Sequence, residues 1–282
     1  MNKIIIIVFI FIFIILLNIQ KQNKICVIYN YYEKNDIYKK NFIYFLKNGI
    51  LNELDYYIII NGKSTVNIPI KTNVHIYYRE NKGYDFGAFS YVINKKINKK
   101  YDYYFFINTS VKGPYLRNPN IKWYESFLSL FNTNTHLVGT SINICTIKHI
   151  QDKFSKNVVS HVQSMFFVVD HSFLNELKNG NFFNEDEINN MNFGDLILNK
   201  EVNLSQIAIN KGYNINCILS KYKGLDYINI KENINLTSTY GDPYFINGYF
   251  GETIDPYEVI FFKNTRFETL YKLYIKIIFY LL

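Results

Sequence analysis

Arginine, proline and tryptophan are scarce in this chain: three, five and one among 282 residues. The 31 basic residues are therefore almost all lysines, and they are scattered. No basic helix, zinc-finger spacing or RNP-like aromatic strand occurs, so the formal net charge of +8 does not describe a nucleic-acid-binding protein. A diffuse positive surface still attracts anions such as sugar diphosphates or membrane headgroups. Only three cysteines are present, and Cys26, Cys145 and Cys217 each sit in an apolar, strand-like run. That excludes a disulfide framework and metal-ligand spacing, and leaves them as small buried hydrophobes. Pro/Gly/Ser linkers and internal repeats are missing too, so one α/β domain of ordinary size is expected. The excess of Ile, Asn, Lys, Tyr and Phe reads as AT-rich codon bias, and Asn-rich patches such as Asn189-Asn190 as lengthened loops.

The one long apolar run, Ile4 to Leu17, lies between Lys3 and Lys21. Extended to Ile19 it would make a helix of about 24 Å, near the span of a bilayer core. No small-x-small cleavage site follows, which favours an uncleaved single-pass anchor over a signal peptide. The expected organisation is an anchor over 1–20, a catalytic domain over 21–266 and a hydrophobic helix over 267–282. In a lumen, Asn203-Leu204-Ser205 and Asn235-Leu236-Thr237 would be glycosylation acceptors.

Strand and helix patterns alternate through the first hundred residues. Apolar runs at Ile25–Tyr29, Tyr56–Ile60, Val74–Tyr78 and Tyr103–Ile107 predict strands. Periodic stretches through Phe42, Phe45 and Leu46 and over Asp85–Ile97 predict helices. This alternation predicts a parallel sheet with helical crossovers. Further on, the pattern predicts a helix over Trp123–Phe131, strands over Leu137–Ser141, Val162–Val169 and Tyr213–Leu219, and a helix over Leu196–Asn210.

Polar tips end several of these strands: Tyr29-Asn30, Asn61-Gly62-Lys63-Ser64 and Asn108-Thr109-Ser110. Between strand and helix lies Asn81-Lys82-Gly83-Tyr84-Asp85-Phe86-Gly87-Ala88. In open α/β sheets ligands bind at the carboxyl ends of strands, so these tips and Asp85 would surround one cleft. Asp85 could equally cap its helix, with Gly83 supplying a turn.

In their order, Asn-Gly-x-Ser, Glu-Asn-x-Gly-x-Asp-x-Gly-Ala and Asn-x-Ser-Val-x-Gly-Pro resemble the rhamnan synthesis protein F group of glycosyltransferases. Similar stretches continue at His161–Phe167, Glu201–Gln206 and Tyr249–Lys263, so the resemblance covers roughly residues 25–266. It implies a GT-A-type nucleotide-sugar-binding fold, with a mixed, mostly parallel sheet flanked by helices. It also implies transfer of a hexosyl or deoxyhexosyl group from a nucleoside-diphosphate sugar to a glycan or glycoconjugate hydroxyl, with inversion.

On this resemblance Tyr29, Asn30, Asn61 and Asp85 would hold the base and ribose. Asn108, Ser110, Lys112, Lys263 and Arg266 would hold the diphosphate, with Arg117 a further candidate. Glu201 would be the general base and Asp195 its substitute. By strand alternation His161 and Gln163 share one face, where they could line the acceptor pocket or the diphosphate. Tyr240, Tyr244 and Tyr249 could stack on sugar rings. No paired-aspartate motif stands where Mn2+ or Mg2+ would bind, so no metal ligand is assigned and metal dependence is open. That gap supports a second reading, a catalytically inactive nucleotide-sugar or glycan-binding module, and counts against a third, a nucleotidyltransferase of related fold, which would need metal carboxylates.

Overall fold

Ile25–Tyr31 is buried at every position. Such a strand has apolar neighbours on both faces and so belongs at the centre of a sheet covered on both sides. The computed structural model describes residues 23–265. The expected anchor over 1–20, the tail over 267–282 and Arg266 lie outside the described residues. Among the described residues no helix is long and apolar enough to cross a membrane.

Strand β1 (Ile25–Tyr31) pairs in parallel with β2 (Asp55–Asn61) on one side and β4 (Tyr103–Asn108) on the other. The partly exposed β3 (Val74–Arg79) extends the sheet beyond β2 as its edge. Helix α1 (Asp36–Asn48) crosses from β1 to β2, and its first turn is capped by Asn35, whose side-chain oxygen accepts from the N–H groups of Ile37 and Tyr38. Helix α2 (Tyr84–Lys95) crosses from β3 to β4. Its Phe89 meets Phe106 edge-on at 5.1 Å and Phe167 at 5.9 Å, while those two rings stack at 4.5 Å. These aromatic contacts fix α2 on the sheet.

Strands β5 (Thr135–Gly139), β8 (Phe166–Asp170) and β9 (Asn214–Cys217) complete a seven-stranded sheet in the order β3-β2-β1-β4-β8-β5-β9. Only β8 runs against its neighbours. The fold is thus mixed α/β with a mostly parallel sheet flanked by helices. A separate antiparallel ribbon joins β6 (Ile142–Cys145) to β7 (Val159–Val162). The carboxyl ends of β1 to β4, the start of β8 and the end of β5 all meet one sheet edge, where the Asn108 N–H donates to the Met165 carbonyl at 3.0 Å.

Four sequence expectations change. The strand expected over Val162–Val169 is two strands in different sheets, broken at Gln163-Ser164-Met165, where the Gln163 N–H bonds the Ser141 carbonyl. The helix expected over Trp123–Phe131 shrinks to α3 (Glu125–Leu128), because Trp123 is drawn into the core with its Nε1 donating to the Gly49 carbonyl at 3.0 Å. Asn189 and Asn190 end a helix, α6 (Glu185–Asn190), that follows α4 (Lys148–Phe154) and α5 (His171–Asn179). Asn235 is no glycan acceptor in the folded chain: it is fully buried, its amide donating to the Tyr222 hydroxyl and the Gly248 carbonyl.

The two motif glycines are set by backbone geometry. Gly83 has φ +64°, and a Cβ on Gly87 would lie 2.1 Å from the Lys82 carbonyl oxygen. Gly87→Ala must push that turn away from α2, so it should lower stability by about 1–3 kcal/mol. Thermal unfolding checks this; an unchanged midpoint would show that the turn yields freely.

Candidate active site

A cavity of about 900 Å3 opens at that sheet edge. Its lining brings together Asn30, Asp85, Asn108, Ser110, His161, Gln163, Glu201 and Lys263 of the residues singled out in the sequence.

The strand tips build one side. Asn108 Oδ1 accepts from the Ser110 N–H at 2.9 Å and from its hydroxyl at 2.5 Å, while Asn108 Nδ2 donates to Asp85 Oδ2 at 2.5 Å. Asp85 therefore does not cap α2; its carboxylate faces the tip of β4. Burial pushes its pKa up to about 6, against the Asn108 hydrogen bond that lowers it, and the Glu201 charge pushes the same way as burial. Asn30 is buried beside the cavity, and its Oδ1, enclosed by the protein, has no hydrogen-bond partner there.

Other candidates do not reach the cavity. Tyr29 is core, stacked on Phe45 at 4.3 Å. Asn61 is buried and braces the motif loop, donating to Asn81 Oδ1 and the Tyr84 carbonyl and accepting from Arg79. Lys112 lies over the Tyr44 ring, and Arg117 pairs with Asp255. Asp195 bonds Asn192 in the first turn of α7 (Phe193–Leu196). Tyr244 and Tyr249 are buried, whereas Tyr240 lines the cavity.

Glu201 comes from the second half of the chain. The expected helix over Leu196–Asn210 is a continuous helical path in which Ile197–Val202 is π-helical, between α7 and α8 (Asn203–Asn210). Glu201 therefore lies inside the path and not at a helix N-terminus. A π segment inserts an extra residue per turn and redirects side chains. Glu201 Oε2 accepts from the Ser164 hydroxyl at 2.8 Å. Its neighbour Lys200 is buried, donating to the Phe182 carbonyl at 2.8 Å and lying 3.3 Å from Glu187. One residue thus anchors the segment inward while the next faces the cavity.

His161 lies on β7 and Gln163 in the turn beyond it, so they do not share a strand face, yet both line the cavity. His161 Nδ1 is 3.3 Å from the Val159 carbonyl, which assigns the ring proton to that nitrogen. Burial holds the imidazole below its usual pKa, partly offset by Glu201, so it is neutral near pH 7 and Nε2 is an acceptor. Gln163 Oε1 accepts from the Ser141 hydroxyl at 2.7 Å.

Among the described residues no group of three His, Cys, Asp or Glu side chains could hold a metal ion. The group facing the Asp85 carboxylate is an amide nitrogen, itself a donor. No chemical step is assigned to a metal.

Sequence reasoning missed Ser164, Asn143 and Asp242, which also line the cavity. Asp242 lies in a Gly-Asp-Pro stretch that reads as an ordinary turn, and Ser164 was hidden inside an assumed continuous strand. Arg79, which ties Asn61 to Asn189 of α6, was equally silent.

Because the Asp85 value of about 6 lies above its ordinary 3.8, the folded chain keeps this proton where the unfolded chain has lost it. Its contribution to stability is full at low pH and is lost as pH rises through about 6. Asp85→Asn should abolish that fall, seen as a denaturation midpoint that no longer drops between about pH 4 and about pH 7; curves parallel to wild type would refute the assignment. Lys200→Met leaves the Phe182 carbonyl without its donor and should cost about 1–3 kcal/mol in urea unfolding. An unaltered midpoint would mean that Lys200 anchors nothing.

No protein-family model matches the chain, and no curated protein does. Solved structures similar to it include a mannosyltransferase from Pyrobaculum calidifontis in complex with GDP-Man and Mn2+ (10% identity, TM-score 0.41, covering 70% of this chain and 55% of that one). The chain thus spans little more than half of that enzyme's length. Core-mannan synthase A from Aspergillus fumigatus, in an Mn/GDP form, is 9% identical with a TM-score of 0.41, covering 69% of this chain and 73% of that one. The galactosyltransferase LgtC, with donor and acceptor sugar analogues, is 8% identical with a TM-score of 0.39, covering 61% and 70%.

Proposed function

We propose that the chain is a glycosyltransferase that moves a hexosyl or deoxyhexosyl group from a nucleoside-diphosphate sugar to a glycan-type hydroxyl, with inversion. The observation that carries this reading is convergence: Asn30, Asp85, Asn108 and Ser110, from three separate segments, meet Glu201 around a single cavity. Its volume of about 900 Å3 lies within the range of small-molecule sites, with room for a donor and an acceptor ring. The motif resemblance to the rhamnan synthesis F group and its GT-A-type fold supports the same reading.

The Asp85 carboxylate is an acceptor suited to base N–H or ribose O–H donors, and the Asn30 amide lines the cavity with it. Asn108, Ser110 and Lys263 hold the diphosphate end. Glu201, held by Ser164, removes the proton of the acceptor hydroxyl as that oxygen attacks the anomeric carbon from the face opposite the diphosphate. The new C–O bond forms as the bond to diphosphate breaks, and the electron pair leaves on the nucleoside diphosphate. Negative charge at Glu201 also stabilises the oxocarbenium-like transition state. The apolar run over 4–17 supports reading the N-terminus as an uncleaved membrane anchor for this domain.

The Asp85 carboxylate meets the Asn108 amide and no paired-aspartate motif stands beside it, which favours one competing reading: a nucleotide-sugar-binding module without turnover. Release of free nucleoside diphosphate from a donor panel, with and without EDTA, separates the two. Glu201→Gln should lower turnover by about 10²–10⁴-fold while nucleoside-diphosphate binding persists. Turnover retained in this variant would remove Glu201 as base, and binding without any turnover by wild type would leave the module.

A further inference from the structure

Asp85 and Glu201 face one cavity from opposite halves of the chain, and the residues next to them set their spacing. Phe86, beside Asp85, meets the ring of Phe182 edge-on at 6.1 Å. Lys200, beside Glu201, donates to the Phe182 carbonyl at 2.8 Å, and its ammonium lies 5.0 Å from the centre of the same ring. One buried residue thus touches the neighbour of each carboxylate.

Phe182 begins a short stretch, 182–190, that ends with α6. Glu187 of α6 lies 3.3 Å from Lys200, a second contact on the π-helical side. On the other side α6 presses on the motif loop. A Cβ on Gly83 would lie 2.8 Å from Ile188 Cγ2, and one on Gly87 3.0 Å from Asn189 Oδ1. Helix α2 holds the stretch as well, for the Asn94 amide donates to the Phe183 carbonyl at 2.8 Å and Lys95 pairs with Glu185 at 2.8 Å. The stretch is a brace with one end on the motif loop and the other on the segment carrying Glu201. Arg79 closes the motif end. Its Nη1 donates to Asn61 Oδ1 and its Nη2 to Asn189 Oδ1, each at 3.0 Å, and Asn61 donates in turn to the Tyr84 carbonyl at 3.2 Å. The chain's cations are almost all lysines, yet a guanidinium stands here, and its planar fork reaches two acceptors at once in fixed geometry. Neither Arg79 nor Asn189 lines the cavity.

We infer that Arg79 and Asn189 are positioning residues for Glu201: they seat the 182–190 brace against the motif loop, and the brace holds Lys200 so that Glu201 stands at a fixed distance across the cavity from Asp85. The inference rests on the reading of Glu201 as general base. A base must stay within hydrogen-bond reach of the hydroxyl it deprotonates, and small misplacements of reacting groups are costly in rate. A loosened brace therefore lowers turnover more than it lowers binding.

The test uses the full chain with Asn189→Ala, which removes the acceptor, and Arg79→Lys, which keeps the charge but not the fork. Amide hydrogen exchange over 197–202 should speed up about fivefold in both, while β1 and β4 keep wild-type protection. With whichever sugar nucleotide the donor panel shows to turn over, kcat should fall about tenfold at nearly constant KM. Asn189→Asp, which still offers the guanidinium an oxygen, should restore both readouts. Once Glu201→Gln has removed the base, adding Asn189→Ala should lower kcat no further. Unaltered exchange over 197–202, full kcat in both variants, or the same tenfold loss on top of Glu201→Gln overturns the assignment. So does exchange that rises equally in β1 and β4, which marks a general loosening of the fold. A wild type that releases no nucleoside diphosphate from any donor overturns the base reading instead, and the exchange measurement then decides the brace alone.

Discussion

The candidate site depends on a short hydrogen-bonded lock between the ends of two parallel strands. The Thr109 hydroxyl donates to the Asn30 carbonyl at 2.9 Å and accepts from the Tyr32 N–H at 3.2 Å, just where the β1–β4 ladder stops. Asn41 of α1 closes the lock by donating to the Thr109 carbonyl at 2.9 Å. Ladder hydrogen bonds end at a strand terminus, and orphaned buried backbone groups are costly. This lock satisfies them and holds Asn30 beside Asn108. Without it Asn30 and the Asn108–Asp85 pair would have no common frame.

The first half of the chain was legible because its physics is local. Fully buried parallel strands read as unbroken apolar runs, and the four expected over residues 25–107 occur within one or two residues of their predicted ends. Polar tips on such strands gather at one edge by topology alone, which explains why Asn30, Asp85, Asn108 and Ser110 could be grouped before any coordinates. The same logic failed for Tyr29 and Asn61. Alternation along a strand says which residues share a face, but not which side of the tip a neighbour will cover, and both are used inward.

The second half was harder, and the reasons are specific. Val162–Val169 is apolar enough to look like one strand, yet Gln163 and Ser164 turn toward the cavity and pass the chain from ribbon to main sheet. The π-helical Ile197–Val202 has no sequence signature apart from a helical pattern, so the direction of Glu201 depends on Lys200 reaching the Phe182 carbonyl. Those bonds link residues far apart in the chain, and periodicity carries no record of them.

The reciprocal amide pair of Asn41 and Asn264 joins positions 223 residues apart. It ties a late strip of the domain to the first crossover helix. On a ribosome the sheet centre and α1 emerge early, whereas the strip bearing Lys263 is made at the far end of the domain. Until that strip meets α1, the cavity lacks Lys263, so a chain that stops short of it has an incomplete lining. Completion of the binding surface is thereby coupled to completion of the domain itself.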